Sequence, residues 1–393
     1  MSKMLIPSAA FTDSKPHYEL LDGLRGVAAL LVVVYHIFEG FAFAGVSNGV
    51  SNGLITTLNH GYLAVDFFFM LSGFVISYAY DDRWKTMSTT EFFKRRIIRL
   101  QPMLVLGALI GVITFCLQGC EQWDGTSTAA LWILLALALT MLMIPAFPGA
   151  GYEVRGNGEI FPLNGPTWSL FFEYIGYLLY ALIIRRLSNL RLAILAGLLS
   201  VAYILFAVFN LSGYGNIGVG WTLDSVNFWG GLLRMLVPFT IGMLLSRHFK
   251  PIKVKGAFWI CTAILLAIFA VPYLGSSNNL SLNGIYETVV VLVVFPVLVV
   301  TGASGRTTDS FSAGFTRLLG DLSYPLYIVH YPVMYLFYAW LIKNEHYTFS
   351  DTWLLSTGVI LLTIAIAYAS LKLYDEPVRK SLAKKFTFSK HKH

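Results

Sequence analysis

Charge is what this sequence most lacks. Of its 393 residues only 12% are Asp, Glu, Lys or Arg, about half the share usual in a soluble domain. That shortage excludes a water-exposed surface over most of the chain. Cysteine is scarce as well: Cys116, Cys120 and Cys261 are too few for a disulfide framework and read as small apolar packing residues. No Cys/His spacing suggests a metal site, so none is expected. The chain also lacks a cleavable leader pattern, an internal repeat, a low-complexity tract and a linker long enough to separate domains. With no soluble catalytic unit apparent, any chemistry is expected within the apolar body.

Hydrophobic residues make up 56% of the chain. They come in runs of about the 20 residues that a helix needs to cross a bilayer core, and only helices satisfy their backbone polar groups along such runs. Apolar segments lie near residues 20–40, 61–80, 99–118, 129–147, 168–186, 190–210, 228–246, 256–274, 284–302, 320–342 and 352–372. The fold class expected is all-α, a polytopic transmembrane helical bundle with 1–17 and 381–393 as tails around a body at 18–380.

The net charge of +7 could suggest nucleic acid, but the basic residues flank the apolar segments instead of clustering, so no nucleic-acid partner is expected. Residues 1–19 hold two Lys or Arg, 81–99 six, 185–191 three, 247–255 four, 303–319 two and 372–393 seven. The intervening loops hold only Arg155 and Lys343, while Arg25 and Arg234 lie inside spans. Placing the basic loops in the cytoplasm satisfies the positive-inside rule. It also forces an even number of crossings between 81–99 and 185–191, where three apolar segments stand. The segment 129–147, interrupted by Pro145 and Pro148, is therefore expected to be re-entrant or interfacial, leaving about ten crossings with both termini cytoplasmic.

Ionisable side chains within spans are costly and mark function by default. Arg25, His36, Asp66, Glu173, Arg234 and His330 stand out. Arg25 should lie near the cytoplasmic side, with His36 about 16 Å higher at helical rise. Asp66 and Glu173 each fall about 8 Å below the outer end of an inward-running span, and Arg234 at similar depth. His36, Asp66, Glu173 and Arg234 are thus expected in one layer. A histidine beside carboxylates suits general-base chemistry; the plainer alternative is interhelical hydrogen bonding that only holds the bundle together. Arg96 and Arg99 share a helical face at the start of the third span. Their guanidinium forks suit a phosphate-bearing ligand, and Arg25 could complete that site.

Six ordered motifs carry a family resemblance. They are Tyr18-Glu-Leu-Leu-Asp22-Gly-Leu-Arg25-Gly26 with His36, Gly61-Tyr-Leu-Ala-Val-Asp66-Phe-Phe-Phe-Met-Leu-Ser72-Gly73-Phe74, and Arg95-Arg96-Ile-Ile-Arg99-Leu-Gln-Pro102. Pro166-Thr-Trp168-Ser169-Leu-Phe-Phe-Glu173, Leu322-Ser323-Tyr-Pro-Leu-Tyr327-Ile-Val-His330-Tyr-Pro332 and Tyr374-Asp-Glu376-Pro377 follow. Over about residues 18–380 the chain resembles the acyltransferase 3 family, departing slightly at Met70 and Pro325.

The resemblance implies a membrane-embedded enzyme in the cytoplasmic (inner) membrane. It would transfer an acyl group, usually acetyl from acetyl-CoA, to a hydroxyl of a glycan, lipid-linked sugar or other cell-surface acceptor. Arg96, Arg99 and Arg25 would hold the CoA phosphates. His36 would deprotonate the acceptor or itself be acylated, oriented by Glu173 or Asp66. Trp168, Ser169, Arg234 and His330 would contact substrate or play supporting parts. The protein would work among membrane lipids, alone or with a separate extracytoplasmic partner. The rival classes are a transporter or flippase for a glycolipid or acylated small molecule, and a structural subunit of a polysaccharide export complex.

Overall fold

The computed structural model describes residues 15, 18–50, 59–277, 280–307 and 309–386. Of the expected tails, only Lys15 and residues 381–386 fall among them. The described chain is a helical bundle with one two-residue β-hairpin at Ser276–Ser277 and Leu280–Ser281. In chain order the helices are α1 Glu19–Ser47, α2 Ala64–Tyr80, α3 Thr89–Gln118, α4 Ala130–Met141, α5 Thr167–Leu182, α6 Asn189–Val208 and α7 Ser225–His248. They continue as α8 Ala257–Ala270, α9 Leu282–Val289, α10 Phe295–Ser304, α11 Ser310–Asn344, α12 Phe349–Ser370 and α13 Glu376–Lys385. A π-turn joins α9 to α10 and another joins α12 to α13. Among the described residues nine helical stretches are long and apolar enough to cross a membrane.

The basic loops gather at one end. Arg247, closing α7, pairs with Asp81 at the end of α2 at 2.8 Å and donates to the Leu187 carbonyl at 2.9 Å. Ser88, Ser188 and Asp309 cap α3, α6 and α11 there, each side chain accepting a backbone N–H three residues on. At the opposite end Asn48 reaches the Ile342 carbonyl at 2.9 Å, and His60 the Val271 carbonyl at 2.7 Å.

Close helix pairs use glycine where no side chain fits. A Cβ on Gly26 of α1 would stand 2.1 Å from the Leu319 carbonyl oxygen of α11. Between α2 and α7 the contact is reciprocal, with Gly73 against Phe239 O at 2.0 Å and Gly242 against Met70 O at 2.1 Å. Small residues of this kind let helix backbones approach where lipid supplies no hydrophobic drive between them. The outward faces of α4, α6 and α12 stay apolar and exposed, as at Leu131, Leu198 and Leu354, which suits contact with lipid.

The segment 129–147 forms only the 12-residue α4, about 18 Å long and too short to cross. The chain then turns into the bundle. Val154, Ile160, Phe161 and Leu163 are buried in irregular backbone, and the Asn164 amide donates to the Ile328 carbonyl at mid-length of α11, 3.0 Å away. Irregular backbone at depth is tolerated where protein shields it, so residues 153–166 carry the inward excursion. The 14 residues of α8 give about 21 Å. Its ends nevertheless reach both levels: Trp259 donates to Ser312 at the start of α11 at 3.3 Å, and the Phe269 carbonyl accepts from His60 N at 3.1 Å.

Candidate active site

The parallel packing of α1 on α11 sets His36 beside His330 and Tyr331, with ring centroids 5.1 and 4.7 Å away. His36 Nδ1 lies 2.6 Å from Glu39 Oε2, one helical turn along α1. Glu39 also accepts from Tyr338 at 3.0 Å, and from Tyr35 and Tyr331 at 3.4 Å each. The carboxylate thereby fixes the ring with Nδ1–H toward Glu39, leaving Nε2 with no hydrogen-bond partner among the described residues. A cavity of about 310 Å³ opens on His36, walled mostly by aromatic rings and rimmed by Glu39, Asn157 and Glu159. His330 is fully buried and bonds through Nδ1 to the Tyr327 and Leu326 carbonyls at 2.8 and 3.2 Å; its Nε2 is unpaired.

The close pair α2 and α7 brings Asp66 to Arg234. Two bonds of 3.2 and 2.7 Å join them, and Arg234 donates further to the Val219 and Tyr62 carbonyls at 2.8 and 3.3 Å. Asp66 is therefore committed to Arg234 and does not orient His36. The guanidinium lies 5.2 Å from the Trp168 ring centroid, supporting one wall of the cavity.

A second cavity, of about 240 Å³, lies toward the basic end. Arg25, Arg95, Arg96, Arg99 and Arg379 line it together with Lys15 and Arg83. Arg25 pairs with Asp22 at 2.8 Å, Arg95 with Glu91 at 2.8 Å and Arg379 with Asp375 at 2.7 Å. Arg96 donates to Tyr177 at 2.8 Å while its Nε is buried and unpaired. Arg99 makes no hydrogen bond or ion pair among the described residues. Val65 and Tyr327 line both cavities, so the two chambers abut. Tyr327 is held in that partition by Ser169 Oγ, 2.7 Å from its hydroxyl.

The expectation that Glu173 lies at the level of His36 is overturned. Glu173 lines the inner cavity, accepting from Ser72 at 2.6 Å and from Tyr177. The reason is the buried segment 153–166: α5 begins near mid-bundle, beside Asn164, and Glu173 lies one turn and more below that. Glu39, three residues beyond His36 on one helical face, takes the role that had been expected of Glu173 or Asp66. Its signal was in the sequence, since residues three apart on a helix meet. Glu159, Asn157 and Arg155 had no local signal because irregular backbone has no period. Arg379 belongs to a helix that only the tertiary fold swings against α3.

Glu159 lies outside the spanning segments. Burial pushes its carboxyl up to about 7 against the lowering effects of Arg155, Tyr335 and Asn157. The Asn157 amide donates to it at 2.9 Å, and the Tyr335 hydroxyl donates to its other oxygen. Arg155, fully buried with its guanidinium 3.3 Å from the Tyr335 ring centroid, packs behind that ring without lining the cavity.

Comparison with known proteins adds the decisive observation: the acyltransferase 3 family, described as an acyltransferase domain, matches residues 18–372. The chain belongs to that family. It is 29% identical over 332 residues to the acyltransferase MdmB of Streptomyces mycarofaciens, covering 80% of this chain and 78% of that protein. To the O-acetyltransferase OatA of Staphylococcus aureus it is 23% identical over 385 residues, which is 94% of this chain but 58% of OatA. A third relative, protein 2 in the picA locus of Rhizobium radiobacter, is 35% identical over 170 residues, 41% of this chain and 80% of its own length. No solved structure matches. Family and apolar helices together make the chain an integral membrane O-acyltransferase, which requires an acyl donor and an acceptor.

Proposed function

We propose that this enzyme moves an acyl group, acetyl in the simplest case, from acyl-CoA in the inner cavity to a hydroxyl of a glycan or lipid-linked sugar in the outer one. The observation that carries this reading is the junction of the two chambers: a cationic pocket and a histidine–carboxylate pair meet across Val65 and Tyr327. Arg99, without a partner among the described residues, and Arg96, Arg25 and Arg379 would bind the CoA phosphates through charge-assisted bonds. The pantetheine arm would pass Tyr327 and carry the thioester toward His36. His36 Nε2 takes the acceptor's hydroxyl proton as its oxygen attacks the thioester carbonyl. Collapse of the tetrahedral intermediate breaks the C–S bond, and the departing thiolate recovers that proton from the imidazolium. Glu39 holds the tautomer and stabilises the imidazolium. Glu173, through Tyr177, would hold Arg96 in the donor pocket, and Asp66 would neutralise Arg234 behind Trp168. The basic end faces the cytoplasm of a bacterial-type inner membrane in this reading, so the donor comes from the cytoplasm and the acceptor from the other side, alone or handed on to a separate extracytoplasmic partner.

The test is purified protein with labelled acetyl-CoA. His36→Ala is expected to bind acetyl-CoA normally while transfer falls about 10²–10⁴-fold, the usual loss on removing a general base. Substantial transfer by well-folded His36→Ala removes the histidine from the chemistry. Movement of a glycolipid across vesicles without any acyl transfer would favour the transporter reading instead.

A further inference from the structure

The two chambers differ sharply in charge. Seven lysine or arginine side chains line the inner one against two carboxylates, Asp22 and Glu173. Arg234 alone of those types lines the outer one, and Asp66 neutralises it at 2.7 Å. The rest of the lining includes two carboxylates, Glu39, paired with His36 at 2.6 Å, and Glu159, with Asn157 and aromatic rings that include Trp123, Trp168 and Trp221.

We propose that the outer chamber selects its acceptor by charge, taking a sugar ring with no negative group beside the reacting hydroxyl, and that Glu159 on the buried segment 153–166 enforces the choice. This deepens the acyl-transfer reading and rests on it for the meaning of "acceptor". Flat aromatic walls with a few convergent polar atoms suit a ring that has C–H faces and a hydroxyl edge. Two orphan atoms sharpen the match: Asn157 Oδ1 and Trp123 Nε1 are buried without partners, and both residues line the chamber. One accepts and the other donates, and a hydroxyl can do either. A carboxylate or phosphate on the ligand could use only the donor and, above about pH 7 where Glu159 is ionised, would meet Glu159 and Glu39 at close range in a site of low polarity, where like charges repel. Arg155, the one cation on this segment, is turned away. Its Nε donates to the Pro162 carbonyl at 2.6 Å and its Nη1 to Gln118 at 2.9 Å behind Tyr335, so it offers no counter-charge to an anionic acceptor. The volume of about 310 Å³ lies at the lower end for small-molecule sites, about 300–1,000 Å³, which limits the occupant to a ring or two.

The experiment uses full-length protein at about pH 8, above the raised Glu159 value, in a detergent without a sugar headgroup, and ligand-observed NMR with methyl glucoside, methyl glucosaminide and methyl glucuronide, alongside acetyl-CoA binding. The glucoside and glucosaminide should bind, and the glucuronide at least about tenfold more weakly. Glu159→Gln should narrow that gap and Glu159→Lys should reverse it, with acetyl-CoA affinity unchanged in both. Equal or tighter glucuronide binding by the unaltered protein overturns the proposal without reference to any variant. Acetyl-CoA binding with none of the three sugars bound also overturns it, while leaving acyl transfer standing. Sugars bound in the expected order by protein that ignores acetyl-CoA would sustain the charge selection and sink the donor reading instead.

Discussion

The inner and outer chambers share the helices α1, α2, α5 and α11 and the partition residues Val65 and Tyr327, yet they are built differently. The inner one is a bouquet of guanidinium groups carried by regular helices. Arginine can serve this way because its long apolar stem lies along a helix while its head reaches a polar space. The outer one needs an irregular wall, residues 153–166, to bring Asn157 and Glu159 over His36. In the proposed donor pocket a cation can stay partly solvated, and Arg99 is only half-buried. At the outer site the carboxylate beside His36 is instead fixed, Glu39 being held by four neighbours. Donor binding should therefore tolerate piecemeal loss, while the reaction centre should fail at single substitutions.

The sharpest break of that comparison is Asp66→Asn. It strands Arg234 in a buried site, and losing one partner of a buried pair costs about 3–5 kcal/mol. Thermal unfolding in detergent should shift markedly downward, and the pair replacement Asp66→Leu with Arg234→Met should recover much of the loss. An Asp66→Asn protein as stable as the parent would mean that the pair is solvated.

Next in size is Glu39→Gln. An amide cannot stabilise the imidazolium, so transfer per folded molecule should drop by about 10²-fold or more, with acetyl-CoA affinity unchanged. Glu173→Gln is the control from the other chamber: its loss should show in donor affinity. If Glu173→Gln instead reproduces the kinetics of Glu39→Gln, the division of labour between the carboxylates is wrong.

Arg99→Lys should weaken acetyl-CoA binding by about tenfold, because lysine keeps the charge but loses the bidentate fork. Sugar binding in the outer chamber should not change. Identical donor affinity in the variant would return this arginine to a purely topological role.

The smallest effect concerns Glu159, whose carboxyl is raised to about 7 among Arg155, Glu153, Tyr335, Tyr331 and Asn157. A carboxyl with a raised folded value favours the protonated form in the fold, so its ionisation opposes folding. That contribution is present below the unfolded value near 4.5 and is lost as pH rises toward about 7. Relative to the parent, Glu159→Gln should gain thermal stability by a few degrees between about pH 5 and 8. A constant difference across that range would show that the group does not titrate there.

Much of the inner chamber was legible because helices have a period. Arg96 and Arg99 share a face by spacing alone, and both line the cavity with Arg25. The pairing of Asp66 with Arg234 was half legible, in that two opposite charges at one depth inside apolar spans need each other. The depth of Glu173 was not legible, because α5 does not reach the outer end of the bundle, the chain before it being buried to Asn164. The contact of Glu39 with His36 follows from their three-residue spacing on one helix.

The sequence by itself determined the all-helical membrane bundle, the sorting of basic loops to one end, and the family. Each of these follows from hydropathy, helical period or ordered motifs, which are properties of neighbouring residues. Only the tertiary structure decided which carboxylate meets which partner, that residues 153–166 form a wall of the outer chamber, and that Arg379 joins the inner one. Those outcomes depend on how far apart in the chain two surfaces can be and still meet. Gly26 against Leu319 and Gly73 against Phe239 settle such distances by backbone contact, and local pattern does not encode them.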